Sequence, residues 1–183
     1  MGPAVGAALV VVFWIIGGKQ GWADGMVVTA TVRVEVPNFL LNAGFEEDDL
    51  AMWKFDSKAA TFNVVTDNVA AAIDQRVVNF WDGAAYDFSL SQTVTGLEPG
   101  TYIVRVQVHG SSGGGKQPRL VATGADGEWA VPLELNGWQT WFEGEIPDAV
   151  VGADGTLTVS VTGSMGAGDW GFIDGFVLTP AGS

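Results

Sequence analysis

The stretch Tyr86-Asp-Phe-Ser-Leu-Ser-Gln-Thr-Val-Thr-Gly-Leu-Glu-Pro-Gly-Thr-Tyr102-Ile-Val-Arg-Val-Gln-Val-His109 decides the fold. In its first part Tyr86, Phe88 and Leu90 alternate with Asp87, Ser89 and Ser91, the period-two pattern of a strand with one buried face. Leu97-Glu98-Pro99-Gly100 then interrupts it, with proline and glycine placed for a type II turn. Beyond the turn, Tyr102, Val104, Val106 and Val108 share one face of a second strand. Ile103, Arg105, Gln107 and His109 share the other. Read outward from here, further strands are expected at 119–123, 128–133, 139–146, 156–162 and 172–178. Asp126-Gly127, Asn136-Gly137 and Asp154-Gly155 punctuate them as turns. The segment 69–73 reads as a short helix or a strand, and periodicity does not choose between them. Ser111-Ser-Gly-Gly-Gly115 is expected to be a flexible loop within the domain, because strand pattern resumes directly after it. Many short strands at regular spacing imply an all-β chain folded as a two-sheet sandwich.

Upstream of that domain, residues 26–36 alternate cleanly, with Val28, Ala30, Val32, Val34 and Val36 on one face, until Pro37 ends the pattern. Trp22-Ala-Asp-Gly followed by this strand resembles the last hairpin of a bacterial immunoglobulin-like domain. The division expected is therefore an apolar segment at 1–25, a strand remnant of a preceding domain at 26–37, and the sandwich at 38–180. The apolar run from Ala4 to Ile16 is short for a membrane span. It suits a signal-peptide core or an anchor, with small residues Gly21 and Ala23 before a cleavage point, but no positive side chain precedes it. The end of a larger chain fits it equally.

Composition narrows the function. With 183 residues the chain has room for one ordinary domain and an appendage. It has no cysteine, which removes disulfides, zinc-thiolate sites and cysteine nucleophiles. The net charge of −13, from 21 acidic and 8 basic residues, repels phosphate backbones and anionic membranes. Nucleic acid is excluded as a partner, and no membrane contact is expected beyond a possible N-terminal anchor. Neutral ligands and hard cations such as calcium suit this field, and so does simple solubility outside the cell.

Enzyme chemistry has little to stand on. The only histidine is His109, and there is no Gly-x-Ser-x-Gly elbow or paired-histidine metal motif. Glu46-Glu47-Asp48-Asp49 offers the two carboxylates a glycosidase needs only by count. A cation site has more support. Glu46 follows a glycine that permits a tight turn, and Asp174 interrupts the apolar run Phe172, Ile173, Phe176, Val177, Leu178, where a carboxylate needs a partner. If the two ends of the domain meet, Glu46 and Asp174 can share one ion, with calcium the expected metal. The alternative is a lone Asp on an edge strand.

Eight tryptophans exceed what a core of this size needs. A sugar site combines an apolar surface for the sugar's C–H face with a few placed polar groups. Asn79-Phe80-Trp81-Asp82 and Gly168-Asp169-Trp170-Gly171 both offer that mixture, and both read as polar, glycine-bearing segments rather than strands. The candidate ligand-binding residues are Asn79, Trp81, Asp82, Asp169 and Trp170, with Arg105 and Gln107 as an added polar row beside His109. Trp53, Trp129, Trp138 and Trp141 are assigned to packing first.

Three segments resemble a known family. Asn38-Phe-Leu-Leu-Asn-Ala-Gly-Phe-Glu46 with Trp53 is similar to the opening of galactose-binding-like jelly-roll modules. Asn79-Phe80-Trp81 with the stretch from Tyr86 to Tyr102, and Ala167-Gly-Asp-Trp170-Gly-Phe-Ile-Asp174-Gly-Phe176, resemble carbohydrate-binding module family 61. The resemblance spans residues 38 to 179. Such modules accompany bacterial endo-β-1,4-galactanases of glycoside hydrolase family 53. It therefore implies a galactose-binding-like jelly-roll β-sandwich that binds β-1,4-galactan of plant cell walls, outside a bacterial cell or at its surface, linked to a catalytic domain in a longer chain. It also implies calcium at Glu46 and Asp174, although Gly175 stands where such modules usually carry a second aspartate. Two rivals remain: an adhesive or structural sandwich without a small ligand, and a small glycan-cleaving enzyme.

Overall fold

The computed structural model describes residues 37–67, 70–113 and 116–182, and every regular element among them is a strand. The apolar segment at 1–25 and the expected strand at 26–36 lie outside the described residues. The strands are β1 (Lys54–Ser57), β2 (Thr61–Thr66), β3 (Arg76–Trp81), β4 (Tyr86–Thr95) and β5 (Gly100–Ser111). Then come β6 (Arg119–Gly124), β7 (Gly127–Pro132), β8 (Asn136–Val151), β9 (Thr156–Met165) and β10 (Trp170–Pro180). They form two five-stranded antiparallel sheets, ordered β1-β4-β9-β6-β7 and β2-β3-β10-β5-β8.

The inward residues of the opening stretch make the core, as their alternation demands. Tyr86, Phe88 and Leu90 of β4 face Val104, Val106 and Val108 of β5 across the sandwich, with Val78, Phe80, Leu120, Val159, Val161 and Ile173 between them. Phe80 stacks on Phe88 at 4.7 Å between ring centres, so aromatic rings from both sheets interlock. Burying each such side chain contributes about 1.5–3 kcal/mol. Backbones come close here as well. A Cβ on Gly171 would lie 2.4 Å from the Phe80 ring and 2.8 Å from the His109 carbonyl oxygen, so only glycine fits.

Several expectations change. Strands β1, β2 and β3 were not anticipated, and Trp81 and Trp170 lie on strands, as the last residue of β3 and the first of β10. Residues 70–73 form turns rather than a helix or strand. The left-handed glycine before β5 is Gly96, at φ +78°, while Gly100 begins the strand itself. Residues 40–45, which open the domain, form a turn. That turn is nevertheless tied to β10. Phe39 N–H donates to Leu178 O, Phe176 N–H donates to Ala43 O, and the Asn38 side chain bridges Phe176 O and Leu178 N. Phe45, Trp53 and Phe176 pack together there, with the Trp53 and Phe176 rings 4.7 Å apart. Trp53 is thus a packing residue, as expected.

Candidate functional site

Strand register assembles the site. On the outer face of the sheet β2-β3-β10-β5-β8, Thr61 pairs with Trp81, Trp81 with Trp170, and Trp170 with Ser111. The next outward row runs Asn63, Asn79, Phe172, His109. Residues two apart on a strand share a face, so Trp81 and Asn79 stand beside Trp170 and Phe172. Trp138 of β8 joins them, and the set encloses an open cleft of about 360 Å³ lined by Thr61, Asn79, Trp81, Trp138, Trp170 and Phe172.

The tryptophans are presented to solvent in different ways. Trp81 is 43% exposed and Trp138 48% exposed, which is unusual for side chains of this size in a structured strand. Trp138 and Trp170 lie 5.9 Å apart at a 47° tilt, so their ring planes form two walls rather than a stack. Phe172 meets both edge-on, at 5.7 and 6.2 Å. Asn79 Nδ2 donates to Gly171 O, which fixes the amide beside the aromatic walls.

Beneath them lies His109, fully buried. Its ring is 4.4 Å from Trp141, 4.9 Å from Phe172 and 5.2 Å from Trp138. Nδ1 accepts the Gln139 N–H and Nε2 faces Ala70 O, so Nε2 carries the proton of a neutral ring. Burial lowers the His109 pKa against the opposing pull of its carbonyl partner Ala70. A depressed folded pKa means that the stabilisation is complete above the unfolded value of about 6.5 and is lost as the pH falls below it. Thermal stability should therefore fall more steeply on mild acidification in the native chain than in His109→Gln. Equal slopes would show that this ring does not resist protonation.

The structure brings together three of the seven residues expected to bind ligand, Asn79, Trp81 and Trp170. Trp138, assigned to packing, is instead a wall of the site, while Thr61 and Phe172 were not anticipated. A register shift between β5 and β8 at Val108/Gly110, with Gly137 at φ +108° and Gln139 at φ +56°, brings Trp138 and Trp141 to the same outer face, Trp138 exposed at the cleft and Trp141 half-buried against His109.

Four residues do other work. Asp169 is buried; its carboxylate accepts the N–H groups of Gly113 and Gly166 at 2.8 and 2.7 Å and the Ser112 hydroxyl. It ties two loops beside Trp170 and, being buried, does not line the cleft. Asp82 accepts the N–H groups of Ala60 and Ala84, which lower its pKa, and so shapes the turn after Trp81. Arg105 is held by Glu145 and Glu143, away from the cleft. Gln107 pairs with Asp174 along the strand and lies beside Gly175, also outside the cleft. His109, between Gln107 and Ser111 on the outer face of β5, is covered by Ala70 and Trp141, so the expected polar row is broken.

The carboxylates of Glu46 and Asp174 do approach each other, but N–H groups surround them. Asp174 Oδ2 accepts from Ala72 N and Ile73 N, both at 2.9 Å, and Oδ1 accepts from Gly175 N. Glu46 Oε1 accepts from Gln75 N and Arg76 N. Burial pushes the Asp174 carboxyl up to about 6, and the Glu46 charge adds to the rise. Calcium needs roughly six to eight converging oxygens, and no third acidic or histidine side chain joins the pair among the described residues. An ion held by this pair would draw its remaining oxygens from backbone carbonyls and water. Peptide N–H groups of the 72–76 turn also bond both carboxylates. The neighbouring Asp48 is solvated and pairs with Arg76 at 2.9 Å.

Two packed antiparallel sheets with an aromatic cleft on one outer face define a β-sandwich carbohydrate-binding module, and the comparisons agree. TmCBM61, solved in complex with β-1,4-galactotriose, is 33% identical over 79% of this chain and 99% of its own, with a TM-score of 0.72. The chain belongs to carbohydrate-binding module family 61. A family 16 carbohydrate-binding module shares the fold at 16% identity and a TM-score of 0.54, covering 78% of this chain and 99% of its own. So does the CBM22-1 xylan-binding domain from Paenibacillus barcinonensis Xyn10C, at 12% identity and 0.52, over 81% of this chain and 97% of its own. No protein-family model matches the chain, and no curated protein matches it.

Proposed function

We propose that this module binds β-1,4-galactan through the cleft between Trp81, Trp138 and Trp170. The observation that carries the reading is the pair of exposed tryptophans in one cleft on a chain 33% identical to a module complexed with galactotriose. Galactose suits such walls. Its axial 4-hydroxyl leaves a continuous C–H patch on one ring face, which an indole covers by displacing water, contributing ~1–3 kcal/mol per ring. Asn79 and Thr61 supply an amide and a hydroxyl at the cleft, both uncharged, as a neutral sugar requires. The openness of the site admits a chain passing through rather than a buried monosaccharide.

The lining of the cleft has no pair of carboxylates of the kind that flanks a scissile glycosidic bond, which supports binding over cleavage. The module's role is to raise the local concentration of a catalytic domain at its polysaccharide. In this reading it works outside a bacterial cell or at its surface, joined to a galactan-degrading hydrolase in a longer chain. Calorimetric titration with β-1,4-galactan tests the proposal: binding is expected, with a β-1,4-glucan giving none, and absence of heat with galactan would refute it.

A further inference from the structure

A second cleft, of about 450 Å³, opens on the outer face of the other sheet, lined by Lys116, Gln117, Arg119, Thr162, Gly163 and Ser164. We propose that it binds an acidic sugar unit, a hexuronate whose carboxylate is held between Lys116 and Arg119.

Charge distribution singles out this place. Of the basic side chains among the described residues, Arg76, Arg105 and Lys54 are each engaged by a neighbouring acid, and Lys58 stands by itself between β1 and β2. Lys116 and Arg119 have no ion-pair partner among the described residues, yet they stand together in a chain of net charge −13. Both are exposed, so their charges are available to a ligand. The Arg119 guanidinium presents a planar fork suited to a carboxylate, and Lys116 adds a point charge. Two cations cannot hold a polyphosphate against this overall field. One carboxylate on an otherwise neutral ring is the charge they match.

The remaining lining reads hydroxyls. Arg119 pairs in register with Thr162, and Thr162 with Ser89, so the cleft continues into a hydroxyl-bearing strip of β9 and β4. Gln117 Oε1 accepts the Leu135 N–H, which steadies the side chain and leaves its amide N–H groups as donors. Asp87 stands opposite Ser164 and closes the strip with a negative charge, which sets the end from which an acid is repelled. The volume lies in the range of small-ligand sites, roughly 300–1,000 Å³. The choice of a sugar among anions rests on the proposed polysaccharide-binding role. The two clefts lie on opposite sheets, so both can be occupied together.

The test is a titration of isotope-labelled protein with trigalacturonate, read by backbone amide signals. Shifts are expected at Arg119, Thr162 and Ser164. The paired variant Lys116→Ala/Arg119→Ala should weaken this binding at least fivefold and leave galactotriose binding unchanged. Since both side chains are exposed, the variant keeps its fold, and an unchanged spectrum elsewhere checks that. No shift at these residues overturns the proposal. Equal shifts with sodium phosphate at matched ionic strength also overturn it, by showing general anion attraction. If galactotriose fails to bind while trigalacturonate shifts Arg119, the galactan reading falls and the acidic-sugar site stands.

Discussion

Trp170→Ala is expected to weaken galactan binding roughly 10- to 100-fold while the sandwich stays folded. Trp170 occupies the centre of the site in register terms, between Trp81 on β3 and Ser111 on β5, and its ring leans on Trp138 and Phe172. Removing it takes away one stacking surface of ~1–3 kcal/mol and loosens a second wall. The residue begins β10 rather than filling the sandwich core, so the fold's own stability changes much less than its affinity. Calorimetry of the variant beside its unfolding curve separates the two effects. An affinity within about twofold of the native chain would place the ligand elsewhere, since ~1.4 kcal/mol already makes a factor of ten.

Asp169→Ala should produce the largest loss of stability of any change near the cleft. The substitution orphans the N–H groups of Gly113 and Gly166 and the Ser112 hydroxyl together. Bonds to a charged acceptor are worth about 1.5–3 kcal/mol each at best, and loop relaxation into water recovers part of that. A net cost of about 3 kcal/mol follows, or a Tm lower by roughly 6–12 °C for a domain of this size. Asp169→Asn, which keeps one acceptor oxygen, should fall between. Galactan affinity should drop as well, because Trp170 follows directly in the chain. A Tm within a degree or two of native would mean that these loops are held by something else.

What the sequence disclosed followed from burial on one face. Tyr86, Phe88 and Leu90, then Val104, Val106 and Val108, alternate because each strand has a core side and an open side, and that pattern is local. Strand β3 escaped notice for the opposite reason. Val77 is buried under the turn at Ala70 while Val78 and Phe80 fill the core, so both faces are apolar and no period of two survives. Trp81 and Trp170 stood out by their polar neighbours, but their companions Thr61, Phe172 and Trp138 come from strands far apart in the chain. Only the order β2-β3-β10-β5-β8 and its register bring them together. Asp169 and Asp174 show the converse limit. A carboxylate in a sequence suggests a ligand or an ion, whereas the backbone N–H groups that claim it leave no trace in residue type. Trp138 adds a third case, since a register shift beside Gly137 puts Trp138 and Trp141, three residues apart, on one face against His109, which a plain period of two would not do.

Galactan binding as proposed depends on one cleft, and the most direct measurement reads that cleft residue by residue. β-1,4-Galactotriose titrated into isotope-labelled protein should shift the indole N–H signals of Trp81, Trp138 and Trp170. The Trp53 indole, which donates to the Leu41 and Asn42 carbonyls at the far packing cluster, should stay in place. Saturating galactotriose that leaves all three cleft indoles unmoved would contradict it.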